Sequence, residues 1–154
     1  MIKLVIFDLD ETLIHSSNEW LGRACDFIAG NQMVYVRPHA IDLILKLKCK
    51  YKIAIWTASY GKYTQEILAN LFGSDYIFEF IWDREQCSRR SKSDGFEYFE
   101  KDLSKIQALG WKTQEFIIID DFPENITNVD RNIIKIKPFY GSDDTELLPL
   151  FNLL

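Results

Sequence analysis

Lys3-Leu-Val-Ile-Phe7, followed at once by Asp8-Leu-Asp10-Glu-Thr12, is the stretch whose reading decides the fold. An apolar run of strand-forming residues with no polar interruption reads as a strand buried on both faces, which places it inside a parallel sheet covered by helices. Two carboxylates spaced i, i+2 close the run, and a hydroxyl follows two residues later. Carboxylates that close together repel unless something cationic sits between them. The simplest account is a divalent metal with an anionic substrate, a pairing that points to phosphoryl chemistry.

The same alternation continues outward from this stretch. Apolar runs at residues 3–7, 52–56, 76–82, 116–119 and 133–136 read as strands. Helical patterns occupy residues 40–48, residues 62–71 up to Gly73, and residues 104–109 up to Gly110. A last helix is expected over residues 144–154, where acidic residues suit a helix start and Pro149 limits its first half. With 154 residues, 47% of them hydrophobic, and no repeat or linker, the expectation is one α/β domain over residues 1–154. Its architecture is a Rossmann-like three-layer arrangement, a parallel sheet flanked by helices.

Charge and cysteine usage narrow the function classes. Eighteen basic and 23 acidic residues leave a net charge of −5, which argues against a general nucleic-acid grip. Cys25, Cys49 and Cys87 are odd in number and widely spaced, as reduced thiols would be. The chain reaches Asp8 too early for a signal peptide, and no apolar run approaches membrane-spanning length. A soluble intracellular protein is expected, cytoplasmic or, in a eukaryote, nuclear.

Two segments break the alternation. Residues 16–37 are too long for an ordinary βα loop. There Cys25-Asp-Phe-Ile28 and Met33-Val-Tyr-Val36 flank a Gly30-Asn31 turn and predict a β-hairpin flap. Residues 83–100 are polar and carry Arg84, Arg89, Arg90 and Lys92, which read either as a solvated loop or as a cationic rim. Three strands end in polar side chains: Asp8, Thr57 and the pair Asp120-Asp121. Ligands of open parallel sheets bind outside the carboxyl ends of the strands, so these groups would converge there.

Asp8-x-Asp10-x-Thr12, Thr57, a lysine ahead of the fourth strand, and Asp120-Asp121 resemble the four motifs of the haloacid dehalogenase superfamily. Phe7-Asp-Leu-Asp-Glu-Thr-Leu-Ile-His15, Val36-Arg-Pro-His39, Trp56-Thr-Ala-Ser59, Lys101-Asp-Leu-Ser104 and Ile118-Ile-Asp-Asp-Phe-Pro123 extend the likeness to one branch. That branch holds the RNA polymerase II C-terminal-domain phosphatases and the small NLI-interacting-factor-like phosphatases. Five ordered blocks cover nearly the whole chain, while residues 16–37 and 88–99 match poorly.

The resemblance implies roles. Asp8 would be the nucleophile that forms an aspartyl-phosphate, and Asp10 the group that protonates the leaving oxygen and then takes a proton from water. Mg²⁺ would be held by Asp8, the main-chain carbonyl of Asp10 and Asp121, with Asp120 supporting them. Thr57 and the amide of Ala58 would hold phosphate oxygens, and Lys101 would offset the charge on Asp8. Thr12 is expected to organise the loop, and neither His15 nor His39 is needed. No segment has room for a large cap, so the crevice is expected to be open, with Trp20, Phe27, Tyr35 and Trp82 either forming an apolar lip or packing the hairpin onto the domain. The implied activity is a monomeric, Mg²⁺-dependent phosphoserine/phosphothreonine protein phosphatase with a phosphorylated protein or peptide as partner and no membrane contact. The alternatives are a phosphatase of nucleic-acid ends or nucleotides, and an inactive phosphoprotein-binding domain.

Overall fold

The computed structural model describes residues 1–128 and 132–153. The first half runs β1 (Leu4–Phe7), β2 (Ile14–Ser17), β3 (Phe27–Ala29), β4 (Gln32–Val36), α1 (Ala40–Lys48), β5 (Lys52–Trp56) and α2 (Gly61–Phe72). The second runs β6 (Ile81–Trp82), β7 (Ser88–Ser91), β8 (Glu97–Asp102), α3 (Ser104–Ala108), β9 (Phe116–Asp120), β10 (Ile126–Thr127), β11 (Ile133–Lys135) and α4 (Leu150–Leu153). Strand β1 sits at the centre of a parallel sheet of order β11-β9-β1-β5-β6.

Every side chain of β1 is fully buried, and alternation sends them to two cores. Val5 and Phe7 pack with Leu43, Ile44 and Leu47 of α1 and with Ile67, Leu68 and Leu71 of α2. Leu4 and Ile6 pack with Ala54, Trp56, Phe116, Ile118 and, from the α3 side, Leu103 and Ile106. Each such aliphatic or aromatic burial stabilises the fold by about 1.5–3 kcal/mol. Helices on both faces of a parallel sheet give the three-layer α/β fold anticipated from the apolar strands.

The flap also forms, with one strand more than the hairpin. Strands β3 and β4 pair antiparallel around Gly30 and Asn31, whose φ values of 54° and 63° are those of a two-residue hairpin turn. Strand β2 adds to the other edge of β4, so the chain enters the flap sheet directly from the loop after β1. No helical cap interrupts the described residues.

Three expectations need correction. Of residues 76–82 only Ile81 and Trp82 pair as a strand. Tyr76 and Phe78 stack instead with Phe72 at the end of α2, at centroid distances of 4.9 and 5.6 Å, so their apolar character signals packing. Residues 83–100 are not a plain loop, because β7 and β8 pair antiparallel within them. Opposite charges stabilise that pair, Arg89 on Glu97 and Arg90 on Glu100, and their polarity hid the strands. The last helix shrinks to α4, which starts right after Pro149, and Leu154 lies outside the described residues. Among the described residues, no helix is long and apolar enough to cross a membrane.

Candidate active site

Parallel register delivers the first two carboxylates. Phe7 lies opposite Ile119, so the residues that follow, Asp8 and Asp120, emerge side by side at the carboxyl end of the sheet. The Asp8 N–H donates to the Ile119 carbonyl at 3.0 Å, which keeps the two strands paired up to that edge. Lys101, on β8 below the second face of the sheet, donates from Nζ to Asp8 Oδ1 at 2.6 Å and to Asp120 Oδ2 at 2.7 Å. Only 7%, 6% and 3% of Asp8, Lys101 and Asp120 is exposed. Burial pushes the Asp8 carboxyl well above the usual range, and Lys101 opposes that push. Burial would lower the Lys101 pKa, but Asp8 and Asp120 outweigh it and hold the ammonium above its ordinary value.

The loop after Asp8 is wound tightly. The Leu9 carbonyl accepts from the N–H groups of Thr12, Leu13 and Ile14 at 3.3, 2.9 and 3.2 Å. Glu11 takes φ 59°, a left-handed conformation that costs a non-glycine residue energy and persists only where the surroundings enforce it. Arg37 enforces it. Its Nη1 donates to the Glu11 and Thr12 carbonyls at 3.2 and 3.1 Å, Nη2 to the Lys137 carbonyl at 2.7 Å, and Nε to Asp144 Oδ2 at 3.0 Å. With 1% of its surface exposed, Arg37 is a buried cation whose donors are occupied by these acceptors. Arg37 belongs to the Val36-Arg-Pro-His39 block of the resemblance, but the sequence reading gave it no role.

Asp10 faces hydroxyls. Ser59 Oγ donates to its Oδ2 at 2.5 Å and Thr57 Oγ1 to the same oxygen at 3.3 Å, while Tyr63 Oη approaches Oδ1 at 3.5 Å. Thr57 also accepts the Ser59 N–H at 3.1 Å. Ala58 lines the crevice, and its N–H has no acceptor among the described residues. Thr57, Ala58, Asp8, Asp10, Lys101, Asp120 and Asp121 all line one crevice of about 330 Å³, so every residue expected at the site is brought to it. Ser59 and Tyr63, which contact Asp10, had no role in the sequence reading.

Of Arg84, Arg89, Arg90 and Lys92, only Arg84 lines the crevice. Its guanidinium lies 4.0 Å from the Tyr60 ring centroid and 4.3 Å from that of Phe99, with its Nε on the Ala58 carbonyl at 2.7 Å. Arg89 and Arg90 pair with glutamates on β8 and do not line it. Trp20, Phe27, Tyr35 and Trp82 do not line it either; Phe99 and Phe122 supply the aromatic wall. His15 stays behind the loop, its Nδ1 3.0 Å from Glu11 Oε1 and its ring edge-on to Tyr140.

Oxygens of Asp8, Asp120 and Asp121 lie within 4.8 Å of one another. Both oxygens of Asp120 are engaged, Oδ2 by Lys101 and Oδ1 by the Phe122 N–H at 2.8 Å. Asp121 accepts from Thr12 Oγ1 at 3.2 Å through Oδ1. Burial, then Asp120, raises the Asp121 carboxyl, and burial, Asp10 and Asp121 push Glu11 to about 8. Hard oxygen donors that outnumber the single ammonium among them fit a divalent cation.

Residues 3–154 match the family model described as NLI interacting factor-like phosphatase. The chain is 32% identical over 162 residues to the "Probable C-terminal domain small phosphatase" of Dictyostelium discoideum, spanning 99% of this chain and 50% of that protein. It is 31% identical over 157 residues to the human "CTD small phosphatase-like protein", spanning 96% of this chain and 53% of that one. The chain thus spans about half the length of the curated relatives it matches. Fission yeast RNA polymerase II CTD phosphatase Fcp1, solved as its R271A variant with beryllium fluoride, shares the fold, with a TM-score of 0.67 at 16% identity. That match covers 99% of this chain and 49% of the other.

Proposed function

We propose, because the chain belongs to the NLI interacting factor-like phosphatase family, that its crevice hydrolyses phosphate monoesters through a phosphorylated aspartate. The observation that carries the reading is the buried Lys101 bridging Asp8 and Asp120 at 2.6 and 2.7 Å, with Asp10 two residues on and free of that ammonium. In this reading Lys101, which opposes the push of burial toward the acid form, favours the ionised Asp8 that attacks phosphorus. The ester P–O bond breaks as the Asp8–P bond forms, and Asp10 gives its proton to the departing oxygen. Asp10 then takes a proton from the water that cleaves the acyl phosphate, which returns Asp8 and Asp10 to their starting states. The Thr57 hydroxyl and the free Ala58 N–H line the same crevice and are the phosphate-oxygen donors in this reading.

Mg²⁺ is the cation whose preference for oxygen donors and retained waters suits this set. Asp8, Asp121 and the main-chain carbonyl of Asp10 would hold it, with Asp120 supporting from its bond to Lys101, and it would supply charge neutralisation to the phosphoryl group.

The substrate of this reading is a phosphoserine or phosphothreonine side chain on a protein. An open crevice without a cap admits a side chain carried on a polymer, and the relatives named above are called C-terminal domain small phosphatases. Arg84, stacked between two rings at the rim, would meet a second anionic group of such a chain. The experiment compares kcat/KM on phosphoserine peptides with that on 3′- and 5′-phosphorylated oligonucleotides, with Mg²⁺ and with chelator. Peptides should win, and chelator should abolish turnover until Mg²⁺ is restored; a clear preference for oligonucleotides overturns the substrate, and metal-independent turnover overturns the cofactor.

A further inference from the structure

We propose that Ser59 and Tyr63 are positioning residues that hold Asp10 for proton transfer and link that step to the flap; the inference rests on Asp10 being the proton carrier. Ser59 Oγ is the nearest partner of the Asp10 carboxylate, at 2.5 Å. Its backbone is held on both sides. The Ser59 N–H is tied to Thr57 Oγ1 at 3.1 Å, its carbonyl accepts the Arg84 N–H at 2.9 Å, and α2 begins two residues later.

Tyr63 adds the second contact from the first turn of α2, with Oη 3.5 Å from Asp10 Oδ1. The same oxygen shares a hydrogen bond with Ser16 Oγ on β2 of the flap sheet. The Tyr63 ring also packs under the flap turn, where a Cβ on Gly30 would stand 3.1 Å from its Cδ2. Gly30 therefore fits the turn twice over, by its φ of 54° and by the space the ring takes. Burial pushes the Tyr63 phenol up to about 12, so the hydroxyl stays neutral at ordinary pH. A chain of contacts thus runs from the flap, through Tyr63, to the carboxylate.

Hydroxyls suit this task for a chemical reason. An ammonium can only donate, so it favours one protonation state of its partner. A hydroxyl donates to a carboxylate and accepts from a carboxylic acid, so Ser59 and Tyr63 stay bonded to Asp10 before and after it gives up its proton. Neither gains or loses a proton over the cycle. Their contribution is geometric: they keep the carboxyl within reach of the oxygen that leaves phosphorus.

The test uses leaving groups of different basicity. Protonation matters greatly when a serine alkoxide departs and little when a nitrophenolate does, and kcat/KM reports the step in which the leaving group is lost. Ser59→Ala should lower kcat/KM on a phosphoserine peptide by about 10-fold or more and on p-nitrophenyl phosphate by less than about 3-fold, part of the ~10²–10⁴-fold that general acid catalysis supplies. Tyr63→Phe should show the same imbalance more weakly, and Ser59→Thr, which keeps a hydroxyl, should recover most of the loss. Asp10→Asn, measured alongside, should show the largest imbalance. If Asp10→Asn shows it while Ser59→Ala loses equally on both esters, the positioning role is overturned and the proton carrier stands. If Asp10→Asn loses equally on both, the reading of Asp10 itself has failed and the inference falls with it.

Discussion

Asp8 and Asp10 are two residues apart on one loop and live in opposite surroundings. Asp8 is buried against the ammonium of Lys101, which arrives from 93 residues away. Asp10 is more exposed, and among the described residues its carboxylate bonds to hydroxyls, from Thr57, Ser59 and Tyr63. A fixed positive charge suits a carboxylate that must remain an ionised nucleophile, whereas hydroxyls suit one that must carry a proton back and forth. In the proposed reading, the motif supplies the acids, and the groups the fold brings beside each set their jobs.

Substitutions probe that contrast from both sides. The largest effect is expected from Asp8→Asn, which should cost about 10⁴-fold or more in kcat on every ester, since a missing nucleophile has no substitute. Loss confined to poor leaving groups would instead assign Asp8 a proton-transfer role and break the contrast. Lys101→Met should come next, lowering kcat by about 10²–10³-fold with little dependence on leaving group. It should also leave Asp8 and Asp120 buried without their cation, a change of about 3–5 kcal/mol in denaturant unfolding of the metal-free protein.

Arg37→Ala addresses the frame that both carboxylates share. It removes the clamp on the Glu11 and Thr12 carbonyls and strands Asp144, and about 3–5 kcal/mol of stability should go with it. Unfolding curves that coincide with the parent's would show that the strained loop needs no such clamp. The smallest effect is expected from Arg90→Ala on the β7–β8 pair, where an exposed ion pair is worth less than about 1 kcal/mol and turnover should not change.

Much of this site was legible because its residues close apolar runs. Asp8, Thr57 and Asp120 sit where strands β1, β5 and β9 end, and parallel register then sets them together. Lys101 was legible only through resemblance, because the strand that carries it reads Glu-Tyr-Phe-Glu-Lys-Asp and shows no apolar periodicity. Its antiparallel pairing with β7 sets Arg89 and Arg90 beside Glu97 and Glu100, a match between strands that a single-strand pattern does not reveal. Ser59 and Tyr63 matter through contacts with Asp10 that span 49 and 53 residues, and Arg37 through contacts with Asp144 that span 107. Ser59 and Arg37 lie in blocks of the resemblance and Tyr63 in none, but the contacts that give them these roles belong to tertiary packing and are not written in the local pattern. The same cause explains the misread run at residues 76–82, where aromatic side chains serve a cluster on Phe72 and not a strand ladder.

The contrast between the two carboxylates is tested most directly by finding which of them carries the phosphoryl group. The protein would be quenched while turning over a phosphoserine peptide with Mg²⁺, reduced with borohydride to convert any acyl phosphate to an alcohol, digested and mapped by mass spectrometry. The account predicts homoserine at position 8 and unmodified aspartate at position 10; homoserine at position 10, or at neither position under conditions of active turnover, would contradict it.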